Sequence, residues 1–428
     1  MFPDLRPFPT TALSCAAVSW GRLVSHRRSY CIEANLLYLM ASLTLQQSIP
    51  LPTKQVGRGD DTLLYQGKQT AWQCSFSRDG CYLAVCFGAP DPLIRIWKYN
   101  GQEWEEFSSL LGVHDRTIRS VDFAPIHAPL TLASASFDGT VAIWELPSGK
   151  TCEEDWECVA QLEGHNSGTE VKCVRWNALG SLLATSGRDK TIWIWESFLP
   201  GTVGGPNSSS GIEQTGGDFE CLAVLHGHEG DVKCVEFANS HGEWGDGEEI
   251  LLSASYDDTI KVWAEEAGDW YCAATISDVH SSTIWSITVS PSAGRLVSGS
   301  ADGSLAIYKC YTAKEKKDLF PGSDRGENGV WKCVGTLPDA HDGSIYCVDY
   351  APNKAGHGRI ASAGEDSQIQ VFREVTGSTS DSPKFVSEAS VYSDHGDVNC
   401  VCWHPIDGSV LASTCDDGTV EVWKFQTR

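Results

Sequence analysis

Histidine, serine and aspartate recur together along this chain, as in His165, Ser186 and Asp189, and such a set can build a nucleophile activated by a proton-accepting imidazole. The 17 cysteines suggest other chemistry: a bound metal, redox exchange or disulfides. Spacing argues against the first of these. A catalytic triad is needed once, whereas an Asp stands six residues before a closing aromatic residue seven times, as Asp91, Asp138, Asp189, Asp257, Asp302, Asp366 and Asp417. A His in a GH-like turn precedes six of the units, as His114, His165, His228, His280, His341 and His395. Repetition makes the set structural, and no catalytic residue is assigned. The cysteines follow the same logic. Cys74, Cys173, Cys234, Cys347 and Cys400 read as one slot in the first strand of a unit, with Ser120 and Ser286 filling it in two others. Cys158, Cys221, Cys272 and Cys333 each stand two residues after an aromatic in the last strand. These nine are expected to pack in the core as small hydrophobes. No Cys-x-x-Cys occurs, and Cys400 and Cys402 alternate along a strand, so neither a metal site nor a cofactor is assigned.

The elements that position these residues are short strands. A unit runs from a β-branched segment such as VKCVRW, through an apolar LLATS and a tight Asp turn, to an alternating TIWIW and a last strand such as FECLAVL. The endings SASFDGTVAIW, TSGRDKTIWIW, SASYDDTIKVW, SGSADGSLAIY, SAGEDSQIQVF and STCDDGTVEVW repeat this pattern, and FGAPDPLIRIW is a degenerate first copy with Gln66-Gly67 in place of the His turn. Four strands per unit at this period resemble the blades of WD-repeat propellers. The resemblance implies an all-β, seven-bladed β-propeller over residues 40–428, closed by an N-terminal strand expected in LTLQQSIPL, residues 43–51. It also implies that the recurring polar set is a buried hydrogen-bonded network of His, Ser/Thr, Asp and Trp. Its members would include His114, Asp138 and Trp144; His165, Asp189 and Trp195; His228, Asp257 and Trp263; and His395, Asp417 and Trp423.

Charge limits the partners. With 32 Lys+Arg against 56 Asp+Glu the net charge is -24, which disfavours a nucleic-acid binder, and no apolar run reaches the roughly 18 residues of a membrane span. Proteins are the expected partners. Residues 1–39 lack the repeat, carry Arg6, Arg22, Arg27 and Arg28 against Asp4 and Glu33, and precede Met40. They read as a disordered extension or a gene-model artefact, with a mitochondrial transit peptide as the alternative.

In a propeller the loops and faces carry function. The long insertions at 201–217, 239–249, 312–329 and 377–383 fall on the bottom face and are expected to be mobile and solvated. On the top face, the residue before each turn Asp gives Phe137, Arg188, Tyr256, Ala301, Glu365 and Asp416. The outward position near the start of each first strand gives Gln73, Arg119, Lys172, Lys233, Trp285, Tyr346 and Asn399. Four cations (Arg119, Lys172, Arg188, Lys233) thus stand beside aromatics in a strongly acidic protein. The set suits an acidic or carboxylate-bearing peptide with an aromatic anchor.

Several strings are more particular: HDRTIRSVDFAP, LASASFDGTVAIWE, LLATSGRDKTIWIWE, SASYDDTIKVW followed by DWYCAATI, and DVNCVCWHP. They closely resemble the WD-repeat subunit of the cytosolic iron-sulfur protein assembly machinery. The resemblance implies a non-catalytic adaptor in a cytoplasmic targeting complex, with the nucleus open as a second location. It would join a HEAT-repeat scaffold, a small acidic-loop subunit and an iron-only-hydrogenase-like carrier. Together they would pass 4Fe-4S clusters to apoproteins, some recognised through C-terminal aromatic peptides. Arg188, in SGRDK, matches an arginine which that family places on its partner-binding face. Another propeller adaptor, such as a ubiquitin-ligase substrate receptor or a G-protein-β-like scaffold, is the alternative.

Overall fold

The computed structural model describes residues 41–49, 69–126, 129–147, 156–166, 168–199, 218–290, 294–320, 328–352 and 358–426. The expectations for residues 1–39 and for the insertion at 201–217 lie outside these. The described strands form seven four-stranded antiparallel sheets, one per repeat unit. In six of them the strands follow chain order, and in the seventh the outer strand is the N-terminal Ser42–Ile49, paired with Val420–Gln426.

Burial explains the strand types. The second strand of each blade, such as Leu182–Gly187, is almost wholly buried because neighbouring blades cover both its faces, so it is built of Leu, Ala, Ser and Thr. The fourth strand forms the outer circumference and alternates with solvent, as in Glu157–Glu163. The cysteines of that strand are therefore not core residues. Cys158, Cys221, Cys272 and Cys333 do share one slot, each opposite the closing aromatic of the third strand, but the last three are exposed and Cys158 is half-buried.

The His turns are pinned much as the repeat implies. His228 places Nδ1 2.8 Å from Asp257 Oδ2 and Nε2 2.7 Å from Ser253 Oγ, and Trp263 Nε1 donates to the same Ser253 oxygen at 2.8 Å. His114 with Asp138, Ser134 and Trp144 repeats this arrangement. In blade 3 the hydroxyl is Thr185, which bonds His165 Nε2 at 3.0 Å and accepts from Trp195 at 3.1 Å, whereas Ser186 faces the other way and donates to Val232 O. Adjacent strand residues point to opposite sides, so only one of the two can join the network. Burial alone would push Asp138, Asp189 and Asp257 up, but their His and Thr partners outweigh it and hold all three well below the usual carboxylate range. Blade 7 departs from the set. His395 pairs with Asp417 at 2.9 Å and Trp423 donates to Ser413 at 2.9 Å, but His395 Nε2 turns towards Glu421, 3.8 Å away, leaving the two halves unjoined.

The ring closes through specific bonds. Gln47 of the N-terminal strand donates to Trp104 O at 2.9 Å and accepts from Trp104 N at 2.8 Å on blade 1. Asn399 Nδ2 of blade 7 donates to Ala71 O of blade 1 at 3.1 Å.

The bottom insertions 239–249, 312–329 (of which 321–327 lie outside the described residues) and 377–383 are tied to one another or to a neighbouring strand by specific contacts, and the first is partly buried, although 377–383 is largely exposed as its composition suggests. Trp244, within 239–249, is 1% exposed, and the neighbouring Glu243 accepts from the backbone of Ala313 and Gly329 in the next insertion. A capping box at Thr312 and Glu315 starts the short helix Ala313–Leu319 there. Asp381 in the third insertion accepts from Tyr311 OH at 2.7 Å and Lys309 Nζ at 3.0 Å. Blades 4 to 6 are thus buttressed together by one buried indole and a chain of charged hydrogen bonds.

Candidate binding site at the channel mouth

The first strands of the blades line the central channel, and each carries a bulge just inside its top end, as between Val171 and Cys173. The bulged residue is Arg119, Lys172, Lys233, Trp285, Tyr346 or Asn399 in blades 2 to 7. In blade 1 the bulge falls between Ala71 and Gln73, so Trp72, and not Gln73, is the matching residue. The one-residue offset moves the first cysteine too. Gln73 fills the slot held by Cys173, its Oε1 accepting from Val121 N of the next blade at 3.0 Å, much as Ser120 Oγ accepts from Val174 N at 3.2 Å. Cys74 stands one position further along, where blade 3 has Val174.

These residues surround a cavity of about 340 Å³ at the top of the channel. Arg119, Lys172 and Lys233 line one arc with Trp72, Phe137 and Trp285, and Tyr346, Asp397, Asn399 and Asp416 line the other. Eight of the thirteen top-face positions read from sequence therefore meet in one place, among them six of the eight cations and aromatics. Arg188 and Tyr256 stand outside the lining. Tyr256 is 60% exposed with its ring 5.2 Å from Lys233 Nζ, and the Arg188 side chain is 63% exposed with Nη1 3.4 Å from Glu170 Oε1.

The cations are stacked on aromatic rings. The Arg119 guanidinium carbon lies 5.1 Å from the Trp72 ring centre, Lys172 Nζ 4.5 Å from that of Phe137, and Lys233 Nζ 4.6 Å from that of Trp285. Such contacts hold a charge at the edge of an apolar cavity without quenching it. Carboxylates that sequence reasoning missed supply the quenching. Glu170 takes Lys172 Nζ together with Arg116 and Arg188, and Asp231 Oδ2 lies 3.6 Å from Lys233 and 3.8 Å from Lys172. Both precede a first strand by one residue, a position the repeat comparison did not sample. Burial would raise Glu170, but its cations, Lys172 foremost, pull it below the ordinary range. Burial, with repulsion from Lys172, drops Lys233 to about 8.

The opposite arc is acidic. Tyr346 stands edge-on to Trp285, with centroids 5.6 Å apart, and its hydroxyl donates to Asp397 Oδ2 at 3.4 Å. Burial and the nearby Asp416 push Asp397 up. The mouth therefore offers an anion a cationic, aromatic-walled side and repels it from the other. A second cavity, at the seam of blades 3 and 4, is lined by Glu248, Glu249 and Glu265 and does not suit an anion. Among the described residues, no group of three or more His, Cys, Asp and Glu could hold a metal ion, and no helix is long and apolar enough to cross a membrane.

Comparison with known proteins agrees with the architecture. The WD domain, G-beta repeat family matches residues 106–145, 156–196, 219–264, 270–309, 331–373 and 387–424. The first three strands of blade 1 fall outside these segments, as its degenerate repeat leads one to expect. A Meyerozyma guilliermondii protein named probable cytosolic iron-sulfur protein assembly protein 1 is 33% identical over 79% of this chain and 93% of its own length. Proteins of the same name from Candida dubliniensis and Botryotinia fuckeliana are 32% and 29% identical, over 79% and 84% of this chain and 93% and 94% of their own lengths. Repeat, ring closure and similarity over about four fifths of the chain together place it in the WD-repeat family and, within it, in the family of cytosolic iron-sulfur protein assembly protein 1.

Proposed function

We propose that the protein is a non-catalytic adaptor of cytosolic iron-sulfur protein assembly, helping deliver 4Fe-4S clusters to cytosolic and nuclear apoproteins. The names of its relatives support this, as does the use of its recurrent His and Asp residues as structural pins. The proposed partners are a HEAT-repeat scaffold, a small acidic-loop subunit, an iron-only-hydrogenase-like carrier and client apoproteins.

The channel mouth is proposed as the client site. The carrying observation is that Arg119, Lys172 and Lys233 each stack on an aromatic ring around one cavity. An incoming indole or phenyl ring would fill the apolar wall, and the carboxylate of a peptide C-terminus beside it would meet the cations. Arg188, on the rim, would meet an acidic residue further along the peptide.

Two measurements test this. Depleting the protein should lower cytosolic iron-sulfur enzyme activities and spare mitochondrial ones; unchanged cytosolic activities overturn the adaptor reading. A fluorescent peptide ending in Asp-Trp should bind the full-length chain and lose ten-fold or more affinity on Lys233→Glu. Arg188→Glu should cost less, because that guanidinium is exposed and screened. Unchanged affinity in both folded variants overturns the mouth assignment.

A further inference from the structure

Cys347 and Cys400 occupy the same slot of consecutive blades, and their Sγ atoms lie 3.7 Å apart across the seam between blades 6 and 7. Cys74 of blade 1 lies 4.0 Å from Cys400 on its other side. All three are free thiols, and neither the His networks nor the stacked cations use them. Cys347 is half-buried, whereas Cys74 and Cys400 are each 3% exposed. Each of the pair follows a residue that lines the mouth, Tyr346 and Asn399. The two cysteines thus stand one residue along their strands from the cavity lining, and Cys347 is the more accessible of the pair.

A disulfide needs its sulfurs about 2.05 Å apart. Closing the present gap takes less than about 1 Å of movement from each sulfur. We propose that Cys347 and Cys400 are an oxidation site, forming an intramolecular disulfide when a hydroperoxide enters the channel. The thiolate of the pair attacks the peroxide, breaking its O–O bond to give a sulfenic acid and hydroxide. The neighbouring thiol then attacks that sulfur. The S–S bond forms as the S–O bond breaks, and its proton and the hydroxyl leave as water. In sum two thiols are oxidised by two electrons and one hydrogen peroxide is reduced to two waters.

Exposure sets this pair apart from the others. Cys347 and Cys74 both offer S–H to Cys400, which lowers its pKa, while donation to Cys400 and burial raise that of Cys347; Cys234 polarises Cys173 in the same way, so this alone does not single out Cys347 and Cys400. Cys173 and Cys234 hold equivalent slots in blades 3 and 4, but both are buried, 4% and 6% exposed, whereas Cys347 is half-buried. The exposed Cys221, Cys272 and Cys333 are on the outer circumference, each on a different blade.

The full-length chain treated with a few equivalents of hydrogen peroxide, alkylated and mapped by non-reducing mass spectrometry tests the assignment. The expected result is the loss of two titratable thiols and one cross-linked peptide pair containing Cys347 and Cys400, both reversed by dithiothreitol. Cys347→Ser and Cys400→Ser should each abolish the cross-link. Both variants should fold, because Ser120 and Ser286 fill this slot in blades 2 and 5. Cys74→Val, which installs the residue of the equivalent Val174, should retain it. A bridge through Cys74, a prior bridge between Cys173 and Cys234, or oxidation confined to the outer cysteines overturns the proposal.

Discussion

Lys233 and Trp285 come from neighbouring blades, and the ammonium nitrogen of the first lies 4.6 Å from the ring centre of the second. The contact is the hinge of the mouth's electrostatics, since it fixes a cation where the wall turns from the basic arc to the Tyr346–Asp397 arc. Burial accompanies it, and the same burial brings the Lys233 pKa down to about 8.

A pH dependence follows for anion binding. Below about 8 Lys233 is protonated and attracts a carboxylate; above it the charge, and with it that attraction, is lost. Affinity for a peptide ending in Asp-Trp should therefore fall as pH rises from 7 to 9.5, by several-fold in fluorescence anisotropy. Lys233→Arg should flatten the profile, because a guanidinium stays charged throughout. A wild-type profile already flat would show that Lys233 does not meet the ligand.

The hydroxyl shared by His and Trp predicts unequal costs for the same substitution in two blades. Ser253→Ala strips partners from both His228 Nε2 and Trp263 Nε1, which are buried, and should cost about 2 kcal/mol or more. Ser413→Ala strips only Trp423 Nε1, since His395 already faces Glu421, and should cost about 1 kcal/mol. Chemical denaturation of the two variants would measure the difference, and equal costs would contradict the split network of blade 7.

Ring closure rests partly on Gln47, whose amide bonds both backbone groups of Trp104. Gln47→Ala should lower stability by about 1–2 kcal/mol and speed amide exchange in Ser42–Ile49 more than in the inner strands. Exchange unchanged in that strand would mean that its pairing with Val420–Gln426 suffices to hold it.

By itself the sequence determined the number of repeat units and the His, Asp and Trp positions of each turn, because a period repeated along the chain reports which side chains share an environment; the borrowed strand was what the resemblance to WD-repeat propellers implied. It also named eight of the ten residues that line the mouth, since equivalent positions in a closed ring must face one axis. Tertiary structure decided whatever depends on registers and neighbours outside the repeat. A bulge in the degenerate first blade exchanged Trp72 for Gln73, and strand alternation chose Thr185 over Ser186. The last-strand cysteines were aligned correctly yet sit outside, because alignment does not say which strand of a sheet is outermost. Acidic, Gly-rich composition suggested a solvated loop around Trp244, but one indole with a seam to fill gains more from burial than the loop loses on ordering. Glu170 and Asp231 offset part of the mouth's basicity although each stands only two residues before the lysine it pairs; whether such a neighbour turns towards the cation is decided by the strand entry and not by proximity in the chain.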